Sequence, residues 1–322
     1  MNVLVVGGAG YIGSHVAKAL HQAGHTPIVF DNFSAGKRDA VLWGECIEGD
    51  LNDFRVIEKA LRATQVEAVI HLAGSIEVGE SVQNPLKYYQ NNTAATVNLL
   101  RAMQAVGIRK VVFSSTAAIY GNPEQESISE NHPKNPVNPY GRSKLMIEEI
   151  MRDTAETGSL QYVALRYFNA CGADPDGQVG ENHDPESHII PRACMAILEK
   201  VPALTIFGND WPTPDGTPIR DYVHVTDLAS AHVSALEYLV DDGKSAAFNI
   251  GTGSGHSVLE VLSCIEKISG KVVPYTFGLR REGDPKILVA DSRAAQEILG
   301  WEPKHSSLEE ICTTAWKWQV SR

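Results

Sequence analysis

The sequence predicts an α/β protein with a doubly wound parallel sheet and a smaller α/β cap towards the C-terminus. The first indication is a run of apolar residues, Val3 to Val6, which is followed by spaced glycines and a helical pattern. The second is the alternation of strand-like and helix-like segments up to about residue 165, which is typical of parallel sheets. The third is a change of composition after Arg166, where residues 169–186 become rich in Gly, Asp, Asn and Pro.

The glycines at the start of the chain form the motif GxxGxxG at Gly7, Gly10 and Gly13. Glycine permits the backbone conformations of a tight turn and lets a pyrophosphate approach the chain closely. The helix that follows would present free N–H groups to this anion. The next strand, 25–30, leads into Asp31, whose carboxylate can accept hydrogen bonds from an adenosine ribose. These features predict a Rossmann dinucleotide site that prefers NAD, because an acid at this place repels a 2′-phosphate.

The remaining elements follow from apolar patterns between turn signals. Strands are predicted at 46–50, 67–71, 109–113, 161–165, 203–207, 245–251 and 271–276. Helices are predicted from about 53, over 84–107, 140–157, 189–200, 227–240, 258–268 and 306–319. Asp50 is expected to cap the helix near Asp53, although with Leu51 it could instead meet an adenine ring. Thr226 is the expected N-cap of the helix 227–240.

Composition limits the possible functions. The chain has 322 residues with a net charge of −11, which argues against general nucleic-acid binding. No apolar run is long enough to span a bilayer, and the first residues form a strand rather than a signal peptide. The five cysteines are scattered, so neither a metal site nor a disulfide framework is indicated. We therefore expect a cytoplasmic protein without a membrane or nucleic-acid partner.

The candidate catalytic residues are Tyr140 and Lys144, which lie one helical turn apart and project from the same helix face. An ammonium group beside a phenol favours the phenolate and is expected to lower the pKa of Tyr140. A tyrosine tuned in this way can act as general base on a sugar hydroxyl. Thr116, at the end of a neighbouring predicted strand, could hydrogen-bond the same substrate oxygen.

Taken together, these motifs resemble those of the extended short-chain dehydrogenase/reductase family, in particular its members that invert C4 of a UDP-hexose. The matching stretches extend over almost the whole chain. They are Gly7–Gly13, Asp31–Asn32, His71–Gly74, Val78–Gln83, Tyr88–Asn92, Phe113–Tyr120, Pro139–Lys144, Arg166–Asn169, Ile206–Asp210, Arg220–His224 and Arg280–Asp284.

The resemblance implies that NAD stays bound while UDP-glucose and UDP-galactose are interconverted through transient oxidation at C4. Tyr140 would act as base, Lys144 would tune it and hold the nicotinamide ribose, and Thr116 would help to move the proton. The implied cofactor-binding residues are Gly7, Gly10, Tyr11, Ile12, Gly13, Asp31, Asn32, Asp50, Leu51, Leu72, Ala73, Gly74, Asn91, Ser114, Tyr140, Lys144, Tyr167 and Phe168. The implied substrate-binding residues are Thr116, Tyr140, Asn169, His188, Ile189, Thr205, Phe207, Arg220, Arg281, Asp284 and Leu288.

The implied domain division places an NAD-binding domain at 1–168, with return segments near 219–250, and mainly the UDP-sugar-binding cap at 169–322. Arg220 and Arg281 are suited to clamp a diphosphate, because guanidinium groups match phosphate oxygens. The family commonly forms homodimers through two helices, here those at about 86–107 and 139–157.

Three positions depart from the pattern of this family. Ile76 stands where many relatives have a lysine near the cofactor, so one cationic contact to NAD is expected to be missing. His188 stands where asparagine is common, a change that keeps a hydrogen-bond donor. Leu288 occupies the position that gates the space around the sugar C2 substituent. Because leucine is smaller than the tyrosine that favours plain hexoses, we expect some tolerance of UDP-N-acetylhexosamines.

Several alternatives remain at this point. A 4,6-dehydratase would need an acid pair after Thr116, where Ala117 and Ala118 stand instead. An epimerase or decarboxylase of another UDP-sugar, such as UDP-glucuronate, is the alternative enzyme. A dehydrogenase that exchanges its cofactor in each cycle would consume free NAD. A non-catalytic NAD-binding regulator would not need the Tyr140/Lys144 pair.

Overall fold

The computed structural model describes residues 1–123, 125–281 and 284–322, so Glu282 and Gly283 of the Arg280–Asp284 stretch lie outside the described residues. The strands are β1 Asn2–Val6, β2 Thr26–Asp31, β3 Glu45–Glu48, β4 Ala68–His71, β5 Lys110–Thr116, β6 Ser127–Ile128, β7 Gln161–Tyr167, β8 Asn169–Cys171, β9 Leu204–Phe207, β10 Ile219–His224, β11 Ala246–Ile250, β12 Gly255–Ser257, β13 Tyr275–Gly278 and β14 Ile287–Ala290. The α-helices are α1 Tyr11–Gln22, α2 Phe54–Ala63, α3 Val78–Gln83, α4 Pro85–Tyr88, α5 Ala95–Val106, α6 Pro139–Glu156, α7 Ile189–Ile197, α8 Val225–Val240, α9 Val258–Ser269, α10 Arg293–Leu299 and α11 Leu308–Val320.

The larger sheet has seven strands in the order β11-β7-β5-β4-β1-β2-β3. All neighbours in it are parallel. From β1 the sheet continues through β2 and β3 on one side and through β4, β5, β7 and β11 on the other. Open α/β sheets bind their ligands at such a switch point. The doubly wound fold class is therefore confirmed.

Alternation along β1 explains why helices cover both faces of this sheet. Leu4 and Val6 belong to one buried cluster, which includes side chains of α2, α5 and α6. Val3 and Val5 belong to a second cluster with side chains of α1 and α8. Because successive strand residues point to opposite faces, the apolar run at the start of the chain supplies both cores.

The second half of the chain builds a smaller layer over the carboxyl ends of the strands. A five-stranded sheet has the order β12-β10-β14-β6, with β8 paired to β10, and β9 pairs with β13 separately. Side chains of α7, α9 and α11 form the apolar core of this part. Buried Asp221 on β10 accepts hydrogen bonds from the backbone N of Thr252, Gly253 and Ala290 at 2.9–3.1 Å. This carboxylate therefore joins β10 to β14 and to the loop after β11.

Chain segments pass between the two parts. α8 and β11 return to the larger sheet, whereas β10 lies in the smaller one. In the other direction, β6 pairs with β14 of the smaller sheet. In the described ranges, no helix is long and apolar enough to cross a membrane.

Two predicted helix caps are wrong. Asp53, not Asp50, caps α2, because its side chain accepts from the backbone N of Arg55 and Val56. His224, not Thr226, is the N-cap of α8, because its Nδ1 accepts a hydrogen bond from the backbone N of Thr226 at 3.1 Å. In both cases two polar residues lie within a few positions of the helix start, and sequence alone does not show which one has the extended backbone of an N-cap.

Candidate active site

The turn after β1 is packed against the end of β4. Gly7 has a left-handed backbone with φ of 82°. A Cβ on Gly7 would lie 2.6 Å from the backbone N of Ala73, and one on Gly13 would lie 2.1 Å from the carbonyl O of Gly7. Both separations are too short for a real side chain, so the close fit of strand, turn and helix requires glycine.

Gly13→Ala is expected to lower the free energy of unfolding by about 1–3 kcal/mol and to weaken NAD binding, because the new Cβ must displace the carbonyl of Gly7. Urea denaturation and calorimetric titration with NAD measure the two effects. The matched control is Gly79→Ala on α3, where a Cβ meets nothing within 4 Å. This control should change neither quantity appreciably, and a loss as large as that of Gly13→Ala would contradict the packing argument.

The N-terminus of α1 is open to an anion. Its N-cap, Gly10, has an extended backbone (φ −80°, ψ 176°), and no side chain of the described residues caps this helix. Tyr11 uses its hydroxyl to donate a hydrogen bond to the carbonyl O of Gly172 at 2.6 Å, away from the helix backbone. The N–H groups of Tyr11, Ile12 and Gly13 thus form the first turn of an uncapped helix, which suits the pyrophosphate of NAD.

Asp31 lies buried at the end of β2, next to this turn. Its carboxylate accepts from the backbone N of Ala9 at 3.0 Å and of Phe33 at 2.8 Å. Burial raises the pKa of Asp31, and these backbone donors oppose the rise. Asn32 donates to Oδ2 of Asp50 at 2.9 Å, so the two predicted adenosine-binding residues are joined to each other.

Small residues follow β4 at the same edge of the sheet. The backbone N of Leu72 and of Ala73 both donate to the carbonyl O of Val6, at 2.8 and 3.0 Å. A Cβ on Gly74 would lie 3.1 Å from Oδ1 of Asn92 and 3.6 Å from Nζ of Lys144. The chain therefore passes closely between the glycine turn and the catalytic lysine. Leu51 is buried on the adjoining side.

Asn92 lies among the predicted site residues, although its own side chain was not predicted to bind cofactor or substrate. It is buried, and its side chain accepts from the backbone N of Ser75 at 2.7 Å and donates to Ser143 Oγ at 3.0 Å. Asn91 donates to Ser75 Oγ at 2.9 Å. The two asparagines lie in a π-helical segment, Tyr89–Ala94, between α4 and α5. A search for α-helical periodicity cannot detect this irregular turn.

Tyr140 and Lys144, the predicted catalytic pair, lie in the first two turns of α6. Asn138 caps this helix by accepting from the backbone N of Gly141 at 2.8 Å. Lys144 is 2% exposed and donates from Nζ to the carbonyl O of Ser114 at 2.9 Å. Thr116, at the end of β5, lies near enough to the Tyr140 phenol to influence its pKa. The structure thus brings Thr116, Tyr140 and Lys144 together at the carboxyl edge of the larger sheet.

The pKa of Tyr140 differs from the sequence expectation. Burial raises it, the neighbouring Thr116 lowers it, and Lys144 is not among the groups that shift it. Burial also lowers the pKa of Lys144 to about 8. The reason is that both side chains are withdrawn from water, which disfavours their charged forms more than any direct phenol–ammonium attraction favours them.

Neighbouring strand ends complete the cofactor side. The hydroxyl of Tyr167 is in close contact with Ser114 Oγ, at the ends of adjacent strands β7 and β5. Phe168 is buried, and its backbone N donates to the carbonyl O of Ile250 at 3.2 Å. Ser114 therefore contacts both Tyr167 and Lys144, whose ammonium donates to the Ser114 carbonyl.

Beneath the catalytic helix lies a buried ion pair. Arg166 on β7 donates to Glu148 on α6 at 2.6 Å from Nη2 and at 3.0 Å from Nε. The same Arg166 bonds the hydroxyl of Tyr120 at 3.0 Å, and Ser115 donates to Glu148. Burial lowers the pKa of Arg166, but Glu148 outweighs this and raises it beyond its ordinary value. The network ties the helix of Tyr140 to the strands that carry Thr116 and Tyr167.

The predicted substrate residues lie in the smaller layer. Arg220 on β10 pairs with Asp284 at 3.4 Å and is opposite Leu288 on β14. The guanidinium of Arg281 stacks 3.9 Å from the ring centre of Phe207. Asn169 donates to the carbonyl O of Asp221 at 3.0 Å, Thr205 lies on β9, and His188 and Ile189 lie at the start of α7.

Leu288 links this group to the catalytic edge. It packs against a buried cluster that contains Ala117, Ile119 and Tyr120, directly after Thr116. A cleft of about 120 Å³ runs from Gly10 and Tyr11 of the glycine turn to the loop 178–183. An uncapped helix N-terminus therefore borders this cleft, an arrangement suited to holding an anionic nucleotide.

Comparisons with known proteins agree with this arrangement. Residues 3–251 match the sequence model of the NAD dependent epimerase/dehydratase family. A UDP-glucose 4-epimerase of Rhizobium leguminosarum bv. trifolii is 49% identical over 99% of this chain and 97% of its own. The structure of UDP-glucose 4-epimerase from Brucella ovis in complex with NAD is 49% identical, with a TM-score of 0.96 over 98% of this chain and 97% of its own. The UDP-Glc/GlcNAc 4-epimerase of Campylobacter jejuni is 41% identical, with a TM-score of 0.87 over 100% of this chain and 99% of its own.

Proposed function

This chain belongs to the NAD-dependent epimerase/dehydratase family, and we propose that it interconverts UDP-glucose and UDP-galactose at the site of Thr116, Tyr140 and Lys144. The observation that carries the proposal is the placement of Thr116 near the buried phenol of Tyr140, one helical turn from the buried ammonium of Lys144, which donates to the carbonyl O of Ser114.

NAD fits the residues present, because the open first turn of α1, the glycine turn and Asp31 offer partners for a pyrophosphate and a ribose. When bound, NAD supplies a hydride acceptor and donor for sugar C4. Tyr140 removes the proton from the sugar 4-hydroxyl, and Thr116, which lies near the phenol, hydrogen-bonds the same substrate oxygen. Lys144, fixed by the carbonyl of Ser114, orients the cofactor side of the site.

On the substrate side, we infer that Arg220 and Arg281 hold the diphosphate. Arg220 is mostly buried, with 13% of its side chain exposed, and its partner Asp284 fixes its position. Arg281 lies flat on Phe207, which leaves the edge of its guanidinium for phosphate oxygens. With Asn169, His188, Ile189 and Thr205, these residues form the proposed UDP-sugar site of the cap, which we assign mainly to residues 169–322 above an NAD-binding domain at 1–168.

The direct test is to incubate the protein with UDP-galactose, without and with added NAD, and to follow UDP-glucose by NMR. Conversion without accumulation of NADH supports epimerisation. A requirement for added NAD would show that cofactor retention is weak, as expected from Ile76, which is apolar and 38% exposed. If neither condition gives conversion but UDP-glucuronate is turned over, the assignment passes to the acidic UDP-sugars. NAD binding without turnover of any UDP-sugar would indicate a regulator.

We further propose tolerance of UDP-N-acetylhexosamines, supported by the small side chain of Leu288 and by the Campylobacter jejuni neighbour that is named for both substrates. Leu288→Tyr is expected to lower kcat/KM for UDP-GlcNAc by at least about tenfold, because bulk in a pocket discriminates between C2 substituents. Turnover of UDP-galactose by the same variant is the internal control. Equal losses with both sugars, or no turnover of UDP-GlcNAc by the unaltered chain, would contradict this proposal.

A homodimer in the cytoplasm is the proposed state of the protein. The homodimer is supported by exposed apolar side chains along α3, α4 and α6, where Val82 is 64%, Leu86 76% and Met146 40% exposed. Such a patch is typical of protein interfaces. The cytoplasmic location is supported by the five free cysteines, since cysteines usually stay unpaired in reducing compartments. Light scattering on the purified chain tests the dimer.

A further inference from the structure

The loop before α7 and the N-cap position of that helix bring four ionisable side chains into one cluster. Glu181, His183, Glu186 and His188 bring one ligand atom each within 4.8 Å of one another. Of these four, only His188 is among the predicted substrate residues. The carboxylates carry two negative charges, which two imidazolium rings can neutralise.

Glu181 is the centre of this cluster. Its Oε1 is in close contact with Nδ1 of His188 and lies 3.2 Å from Nδ1 of His183. Only 4% of the Glu181 side chain is exposed, whereas 44% of the His188 side chain is. Because Nδ1 of His188 is occupied, Nε2 is the nitrogen of this ring that is left for a ligand.

Glu186 fixes the backbone around His188. Its Oε1 accepts from the backbone N of Ser187 at 2.8 Å and of His188 at 2.9 Å. Its carboxylate also lies 3.8 Å from Nδ1 of each histidine. The second carboxylate therefore adds negative charge next to both rings and holds the chain that carries His188.

The place of Glu181 is itself fixed by the rest of the fold. Its carbonyl O accepts from Nε1 of Trp318 on α11 at 2.8 Å. The ring of His183 stands edge-on to Tyr11 of α1, with 6.1 Å between ring centres. The cluster thus lies between the helix that receives the cofactor and the residues proposed to hold the substrate.

The charge states follow from these contacts. Burial raises the pKa of Glu181, but His188 and His183 outweigh this and hold it at about 2. Burial lowers the pKa of both histidines, yet Glu181 and Glu186 outweigh it, so that the pKa of His183 rises to about 10 and that of His188 also rises. The other ionisable groups facing the cluster are the phenol of Tyr11, the buried thiol of Cys171 and the neutral, buried imidazole of His15. Glu77 also approaches the same loop, where it accepts from Ser187 Oγ at 2.8 Å.

We propose that Glu181 is a positioning residue for the substrate, which holds His188 as an imidazolium whose Nε2–H donates to the diphosphate of the bound UDP-sugar. This rests on the proposed function, since it takes His188 to be in the UDP-sugar site. Glu181 itself touches neither substrate nor cofactor. It acts through His188, so the site gains a cationic donor in addition to Arg220 and Arg281.

The sign of the pH dependence follows from the raised pKa. His188 is charged below its ordinary value of 6.5 and stays charged to a higher pH, until the pH rises through the raised value. The affinity for the diphosphate is thus retained at neutral pH and falls at alkaline pH. Without the Glu181 carboxylate the same fall should occur at lower pH.

The experiment measures the dissociation constant of UDP by calorimetry between pH 7 and 9, with NAD-loaded protein and EDTA present. Glu181→Gln is expected to weaken UDP binding about tenfold at pH 7.5, as for a lost charge-assisted hydrogen bond, with kcat nearly unchanged. His188→Asn, which keeps a neutral donor, is the matched variant and should abolish the pH dependence contributed by the ring. The double variant Glu181→Gln/His188→Asn should bind UDP only slightly more weakly than His188→Asn alone.

The titration of the His188 ring by NMR, in the unaltered chain and in Glu181→Gln, is a readout that a purely structural role would not move in this way. A downward shift of its pKa in Glu181→Gln supports the proposal. The proposal is overturned, while the proposed function stands, by an unchanged His188 pKa in Glu181→Gln. It is likewise overturned if the double variant loses a further tenfold in UDP affinity relative to His188→Asn. Failure of the unaltered chain to bind UDP at any pH removes both.

Discussion

Tyr140→Phe is expected to lower kcat for UDP-galactose by about 10²- to 10⁴-fold, the usual contribution of a positioned general base. The substitution removes only the phenolic hydroxyl near Thr116. It leaves the glycine turn, Asp31 and the bond from Lys144 to Ser114 in place. NAD binding should therefore remain near that of the unaltered chain. Initial rates by NMR and calorimetric titration with NAD measure the two quantities.

Thr116→Val is the companion variant, since it removes the hydroxyl near Tyr140 while keeping the branched shape on β5. It should lower kcat by less than Tyr140→Phe does, because the base remains. Loss of only a few-fold in the Tyr140→Phe variant would assign the proton transfer to another group. A parallel loss of NAD binding would mean that the phenol acts by holding the cofactor instead.

Glu148→Leu is expected to lower the free energy of unfolding by about 3–5 kcal/mol, because it leaves the buried Arg166 guanidinium without its carboxylate. Both side chains are at most 6% exposed, so water cannot replace the lost partner. Since Glu148 lies one turn beyond Lys144 on α6, kcat should fall as well. Urea denaturation and initial rates check the two effects.

The double variant Glu148→Leu/Arg166→Met is the control for this prediction. Replacing both partners by apolar side chains removes the unpaired charge, so part of the lost stability should return. The hydroxyls of Ser115 and Tyr120 would still lose a partner, which limits the recovery. A cost below about 1 kcal/mol for Glu148→Leu alone would class the pair with exposed ion pairs, which contribute little.

The parts of the site that sequence could predict are local. Gly7 follows β1 and Gly13 lies in the first turn of α1, and their spacing, together with the strand and helix patterns around it, indicates the turn that the structure shows. Tyr140 and Lys144 are one turn apart in a helix whose bounds were predicted within a few residues. Such features depend on neighbours in the chain, so one sequence is sufficient to find them.

The parts that sequence could not predict depend on distant partners or irregular backbone. Asn92 lies in a π-helical turn, which no α-helical pattern indicates. Glu148 meets Arg166 only because α6 packs on β7, and Glu181 meets His188 only because the loop before α7 closes on itself. The raised pKa of Tyr140 also escaped prediction, since burial, which spacing does not show, has more effect than the charge of Lys144.

The central claim is that one site oxidises and reduces the same sugar carbon, with Tyr140 as base and the cofactor retained. Its most direct test uses UDP-galactose carrying deuterium at C4, incubated with the protein and an excess of unlabelled NAD. We predict that the UDP-glucose formed keeps its deuterium at C4 and that the added NAD stays unlabelled. Transfer of deuterium to the free nicotinamide pool, with a keto sugar released, would contradict the account and indicate a dehydrogenase.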